Sequence, residues 1–133
     1  MAREISKHPF ASTIGLHFQE PPHQGQAHCW LEVSDHLRNP HGVLHGGILF
    51  SMADTGMGAA LYTLLDPGES CVTIEIKMNY LLPVIQGRLD CVSRVLHKNS
   101  AMGVMESEVR NGNALAATAL GTFSRLKTAP RKA

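Results

Sequence analysis

Charge of one sign is missing from this chain: its 12 Lys and Arg are offset by 11 Asp and Glu, a formal net charge of +1. That balance supplies no field for a nucleic-acid backbone or an anionic lipid surface, so neither partner is expected. Cysteine is scarce and odd in number, with Cys29, Cys71 and Cys91 standing singly inside strand-like runs. The pattern argues against a disulfide framework and a structural zinc site, and it suits a reducing cytoplasm. No apolar signal core follows Met1-Ala-Arg-Glu-Ile-Ser-Lys7, so a cytoplasmic location is expected. There is no internal repeat and no linker. The longest apolar-rich run, Gly46 to Leu65, approaches bilayer length, but it holds Ser51, Asp54 and four glycines. A buried helix of a soluble domain accounts for it better than a membrane span. The 133 residues suffice for one domain with a real core. That domain is expected to take the whole chain, 1–133, with its core at about 10–125 and a basic tail at 126–133.

What is there reads as α+β. A short helix or turn over 8–15 closes at Gly15, and a short strand follows over 16–19. Pro21, Pro22 and Gly25 turn the chain into a strand over 26–33. Residues 34–44 form a loop broken by Pro40 and Gly42. A helix is predicted over 46–64, ended by Asp66-Pro67-Gly68 and apolar nearly all round, which marks it as buried. Gly56 and Gly58 each cost it about 1 kcal/mol relative to alanine, a cost that close approach of another backbone or a ligand would offset. Over 71–80 the residues alternate, with Val72, Ile74, Ile76, Met78 and Tyr80 facing one way and Thr73, Glu75, Lys77 and Asn79 the other. Three further strands, over 88–97, 101–110 and 114–125, are joined by hairpin turns at 98–100 and 111–113. The sheet is expected to be antiparallel, with one face on the helix.

The chemistry concentrates in Asn39-Pro-His-Gly-Val-Leu-His-Gly-Gly47 and the helix behind it. A glycine pair at a helix start leaves backbone N–H groups reachable, and the positive end of the helix dipole favours a polarised oxygen there. Gly47, Ser51, Asp54 and Gly58 make one small, polar stripe, with Asp54 two turns beyond Gly47. An electrophile-binding end and a carboxylate on one face suit hydrolysis. His41 and His45 are four apart, but Gly42 lies between them ahead of the helix and no third ligand follows, so no metal is expected. The His45 ring reads best as a helix cap, with its neighbours' backbone as the working part. Asn39 divides evenly between a loop-holding and a functional role. Thr73, facing away from the apolar set of its strand, reads either as a solvated strand residue or as one reaching a site across a subunit contact.

Asn39-x-x-Gly42-x-x-His45-Gly46-Gly47, Asp54 on the helix, and Thr73-Ile-Glu-Ile-Lys-Met-Asn-Tyr-Leu-Leu-Pro83 together resemble the hotdog-fold acyl-CoA thioesterases, most of all the PaaI-like branch. The resemblance covers roughly 10–125. It implies an antiparallel sheet wrapped around one long central helix, and homodimers joined sheet edge to sheet edge, usually paired into homotetramers with interface active sites. It implies Asp54 as the catalytic base or nucleophile, Gly46 and Gly47 as N–H donors to the thioester oxygen, and Asn39 and Thr73 as orienting groups beside His45. Tyr80, Leu81, Leu82, Pro83, Lys98 and Ser51 would contact the acyl-CoA substrate. No cofactor is implied. Two other readings stand beside hydrolysis of an aryl-acyl or medium-chain CoA ester: a hotdog enoyl-CoA hydratase or dehydratase, and a non-catalytic acyl-CoA-binding module.

Overall fold

The computed structural model describes residues 8–20 and 22–127. Helix α1 (Pro9–Ile14) is capped by His8, whose Nδ1 accepts from the Ala11 N–H, and it ends at Gly15 in the left-handed region. Strands β1 (His17–Phe18) and β2 (Gln26–Glu32) follow, then a short 3-10 turn, Asp35–Leu37. Helix α2 (Gly46–Tyr62) precedes β3 (Glu69–Tyr80), β4 (Arg88–Lys98), β5 (Met102–Asn111) and β6 (Ala114–Lys127). Pro21, part of the predicted turn before β2, and 128–133 of the predicted tail lie outside the described residues. Leu126 and Lys127, also assigned to that tail, continue β6 instead.

The six strands form one antiparallel sheet in the order β1-β2-β4-β5-β6-β3, curled around α2 in the hotdog arrangement. The β4–β5 and β5–β6 hairpins stand where the sequence puts them. Strand β3 crosses instead to the far side of β6, so the sheet ends in two-residue β1 on one side and twelve-residue β3 on the other.

Leu49, Met52, Ala53, Gly56, Met57, Ala60 and Leu61 are the buried side of α2, spaced as one helical face requires. The helix is therefore not buried all round within the chain: Phe50 is exposed, and Gly47, Ser51, Asp54 and Gly58 are only partly covered. Gly56 allows the close approach of helix to sheet. A Cβ there would lie 2.5 Å from Ser93 Oγ, which itself pairs at 2.6 Å with Ser107 Oγ across β4 and β5.

The facing of β3 departs from simple alternation. Its pairing with β6 shifts between Thr73 and Glu75, with Ile74 as the extra, bulged residue. Before the bulge Cys71 and Thr73 face the helix; after it Ile76, Met78 and Tyr80 do, opposite buried or small residues of β6. Val72 and Ile74, expected on the apolar side, are exposed at 49% and 57%.

Candidate active site

The start of α2 is held by side chains at both ends of one peptide group. His45 is the N-cap, and its Nδ1 accepts the Gly47 N–H at 2.8 Å. The Tyr80 hydroxyl donates to the Gly46 carbonyl at 3.0 Å. The Gly47 N–H, expected as an oxyanion donor, is thus taken by the cap. The Gly46 N–H has no acceptor among the described residues. With Nδ1 accepting, the neutral His45 ring carries its proton on Nε2. Ser51 donates to the Gly47 carbonyl at 2.7 Å, closing the first turn from inside.

Asp54 is half-buried on the partly covered stripe, and Thr73 Oγ1 donates to its Oδ1 at 2.6 Å. No Lys, Arg or His pairs with Asp54 among the described residues. This corrects the facing expected for Thr73: the bulge at Ile74 turns it toward the helix, where it meets the Asp54 carboxylate of its own chain.

Asn39 builds the loop. Its Oδ1 accepts from the His41 N–H at 2.9 Å and the Val43 N–H at 3.4 Å. Gly42, at φ 82°, makes the turn in the left-handed region. The Asn39 side-chain amide NH2 has no partner among the described residues. Arg38, which no motif singles out, joins this loop to the one after β3 by donating to Gly42 O at 2.8 Å and Ile85 O at 2.5 Å. A lone loop arginine carries no sequence signal for that role.

A cavity of about 270 Å³ opens beside the helix start, lined by Leu44, Leu49, Tyr80, Leu81, Leu82 and Pro83 among others. Tyr80, Leu81 and Leu82 are each about half exposed there. The structure brings Gly46, Gly47, His45, Ser51 and these four residues of 80–83 together, and places Asp54 with Thr73 two turns along the helix. Lys98 stands apart: its Nζ donates to the Leu64 carbonyl at 3.2 Å, beyond the other end of α2. Arg125 is held at that end as well, by Glu69 at 2.6 Å and the Asn99 carbonyl at 2.6 Å. Among the described residues no three His, Cys, Asp or Glu side chains gather as a metal site would need.

The sheet curled on one helix, with a glycine-pair helix start and a carboxylate on the same helix, defines the class. The chain belongs to the thioesterase superfamily, whose pattern matches residues 41–117. The structure of a conserved Pseudomonas aeruginosa protein is similar, with a TM-score of 0.89 and 40% identity over 95% of this chain and 100% of that one. The PaaI protein of the E. coli phenylacetic acid degradation operon is similar too, with a TM-score of 0.83 and 26% identity over 91% of this chain and 86% of its own. A 1,4-dihydroxy-2-naphthoyl-CoA hydrolase of Listeria monocytogenes is 26% identical over 73% of this chain and 78% of that enzyme. No helix among the described residues is long and apolar enough to cross a membrane.

Proposed function

We propose that this protein hydrolyses acyl-CoA thioesters to the free acid and CoA. The observation that carries the reading is Asp54: a half-buried carboxylate with no cationic partner among the described residues, held by one hydroxyl, on the helix whose start offers the Gly46 N–H. Burying a carboxylate without a cation costs stability, a placement typical of groups kept for chemistry. The thioester oxygen rests on the Gly46 N–H, reinforced by the helix dipole. Asp54 draws a proton from water, or adds to the carbonyl carbon itself as the CoA thiolate leaves; water then cleaves the anhydride so formed. Thr73 orients the carboxylate, and the free amide of Asn39 orients the carbonyl or the water. The apolar cavity at Tyr80–Pro83 receives the acyl part. An aryl-acyl or medium-chain group suits its lining, and the names of the two relatives favour the aromatic case.

Geometry argues for a homodimer or a homotetramer built from dimers. Asp54 lies eight positions beyond Gly46, about 12 Å of helix. The N–H groups at a helix start point away along the axis, whereas an attacking group must approach the carbonyl to about 3–3.5 Å. Asp54 and Gly46 of one chain therefore serve different carbonyls, and each site takes one group from each protomer. The twelve-residue edge of β3 is long enough to join its copy in a second chain.

The test is CoA-thiol release from a panel of aryl-acyl and straight-chain acyl-CoA esters, with enoyl-CoA hydration read in parallel. Wild type should cleave at least one ester, and D54N in an intact oligomer should be at least about a hundredfold slower. Hydration without thiol release, tight binding without turnover, or near-normal D54N would each overturn the reading.

A further inference from the structure

The geometry points to Tyr80 as a positioning residue that aims the Gly46 N–H, an inference that rests on the thioesterase reading above. Three contacts carry it. The Tyr80 hydroxyl donates to the Gly46 carbonyl at 3.0 Å, from 34 residues away in sequence. The ring lies flush against the Gly46 α-carbon, so that a Cβ there would stand 3.2 Å from Cε1. At the other end of the same peptide group, the Gly47 N–H is fixed on His45 Nδ1 at 2.8 Å.

Two successive glycines make the loosest possible helix start, because neither has a Cβ to restrict φ and ψ. An oxyanion donor works only when its direction is set before the charge develops. Clamped by Tyr80 at the carbonyl and by His45 at the N–H, the Gly46–Gly47 peptide cannot turn. The Gly46 N–H, carried by the preceding peptide and joined to the clamped one at the packed α-carbon, is left as the donor with no acceptor among the described residues. Partial burial raises the Tyr80 phenol above its usual range, so it stays an O–H donor throughout neutral pH. Strand β3 then serves both halves of the chemistry: Thr73 in its middle holds Asp54, and Tyr80 at its end holds Gly46.

The experiment is Y80F in the intact oligomer, which removes one oxygen and keeps the ring packing. Thiol-release kinetics give kcat and KM, and amide NMR with hydrogen exchange follows Gly46 and Gly47 without substrate. The expected result is a fall in kcat of about fivefold to tenfold, with KM changed by less than about twofold and a wild-type Tm. Both amide resonances should move, and the Gly47 amide, protected in wild type, should exchange faster. Unchanged kcat, or a rise in KM alone, would overturn the proposal; the latter would make Tyr80 a plain substrate contact. So would equal exchange of the two glycine amides in wild type, where Gly47 should be protected and Gly46 not. The amide arm needs no turnover. A wild type inactive on every thioester would sink the enzymatic reading, with the clamp still judged by the resonances.

Discussion

Thr73 Oγ1 donates a 2.6 Å hydrogen bond to Asp54 Oδ1, and a one-residue bulge in β3 makes that contact possible. Among the described residues the rest of the carboxylate has no other hydrogen-bond partner, so Thr73 fixes its direction without neutralising it. Replacing Thr73 by Val keeps the shape and removes the donor. Loss of one such bond is worth about 0.5–3 kcal/mol, depending on the charge it meets, so T73V should lower kcat by about threefold to a hundredfold. T73S should restore most of it. Steady-state kinetics on the best ester of the panel decide the matter; T73V turning over like wild type would make Thr73 a bystander.

The same bulge marks the limit of what the sequence discloses. Period-two alternation over 71–80 correctly identifies a strand, yet it assigns Val72 and Ile74 to the core, because one inserted residue reverses every facing before it. Local signals carried α2, both hairpins and the His45 cap, since caps and turns are decided by neighbours. The placement of β3 against β6, the contact of Tyr80 with Gly46, and the use of Arg125 on Glu69 join residues 34 to 58 apart, and no local pattern encodes them. The glycine pair is the instructive case. Sequence gives its two N–H groups equal standing, and only the conformation of the His45 side chain separates the occupied from the open one.

Two glycines of α2, separated by a single residue, should respond to alanine with opposite signs. At Gly56 a Cβ meets Ser93 Oγ at 2.5 Å, and Ser93 is itself buried and paired with Ser107. Overpacking of this kind costs about 1–3 kcal/mol, against about 1 kcal/mol gained in helix propensity. G56A should therefore lower Tm by a few degrees. At Gly58 the nearest atom is Phe123 Cε2 at 3.4 Å, an ordinary contact, so within one chain G58A keeps the propensity gain. Thermal melts of both variants test the pair. A loss of stability at G58A would place a second chain against this partly covered stripe.

The three thiols should be inert in the native protein. Cys29 and Cys91 face each other across β2 and β4, wholly buried, each donating to the Met52 carbonyl, at 3.7 Å and 3.6 Å. Hydrogen bonding with Cys91, together with burial, pushes the Cys29 thiol well above its ordinary range; the same bond lowers Cys91, which is kept unreactive by its complete enclosure. Burial pushes Cys71 up to about 11. Since the thiolate is the reactive form, a thiol reagent at pH 8 should label no cysteine within minutes, and all three after unfolding in denaturant. Mass spectrometry of the labelled protein checks this. Fast native labelling would show that these packed thiols open to solvent.

Acid stability should hinge on Glu69. Its carboxylate accepts two bonds from the Arg125 guanidinium, at 2.6 Å and 3.1 Å, and one from the Asp66 N–H at 2.9 Å. These bonds, Arg125 first, lower its pKa from an ordinary 4.5 to about 2. Between those values the unfolded chain binds a proton that the folded chain refuses, so stability falls as pH falls. The contribution is complete above about pH 5 and is lost as pH drops through 4.5 toward 2. E69Q removes the titration and leaves Arg125, only 9% exposed at its side chain, with the more distant Asp66, at 3.7 Å, as its anion. It should therefore melt lower than wild type at pH 7, yet lose less further Tm between pH 5 and pH 2. Differential scanning calorimetry across that range reads the difference. Parallel pH curves for the two proteins would mean that Glu69 takes no part in acid unfolding.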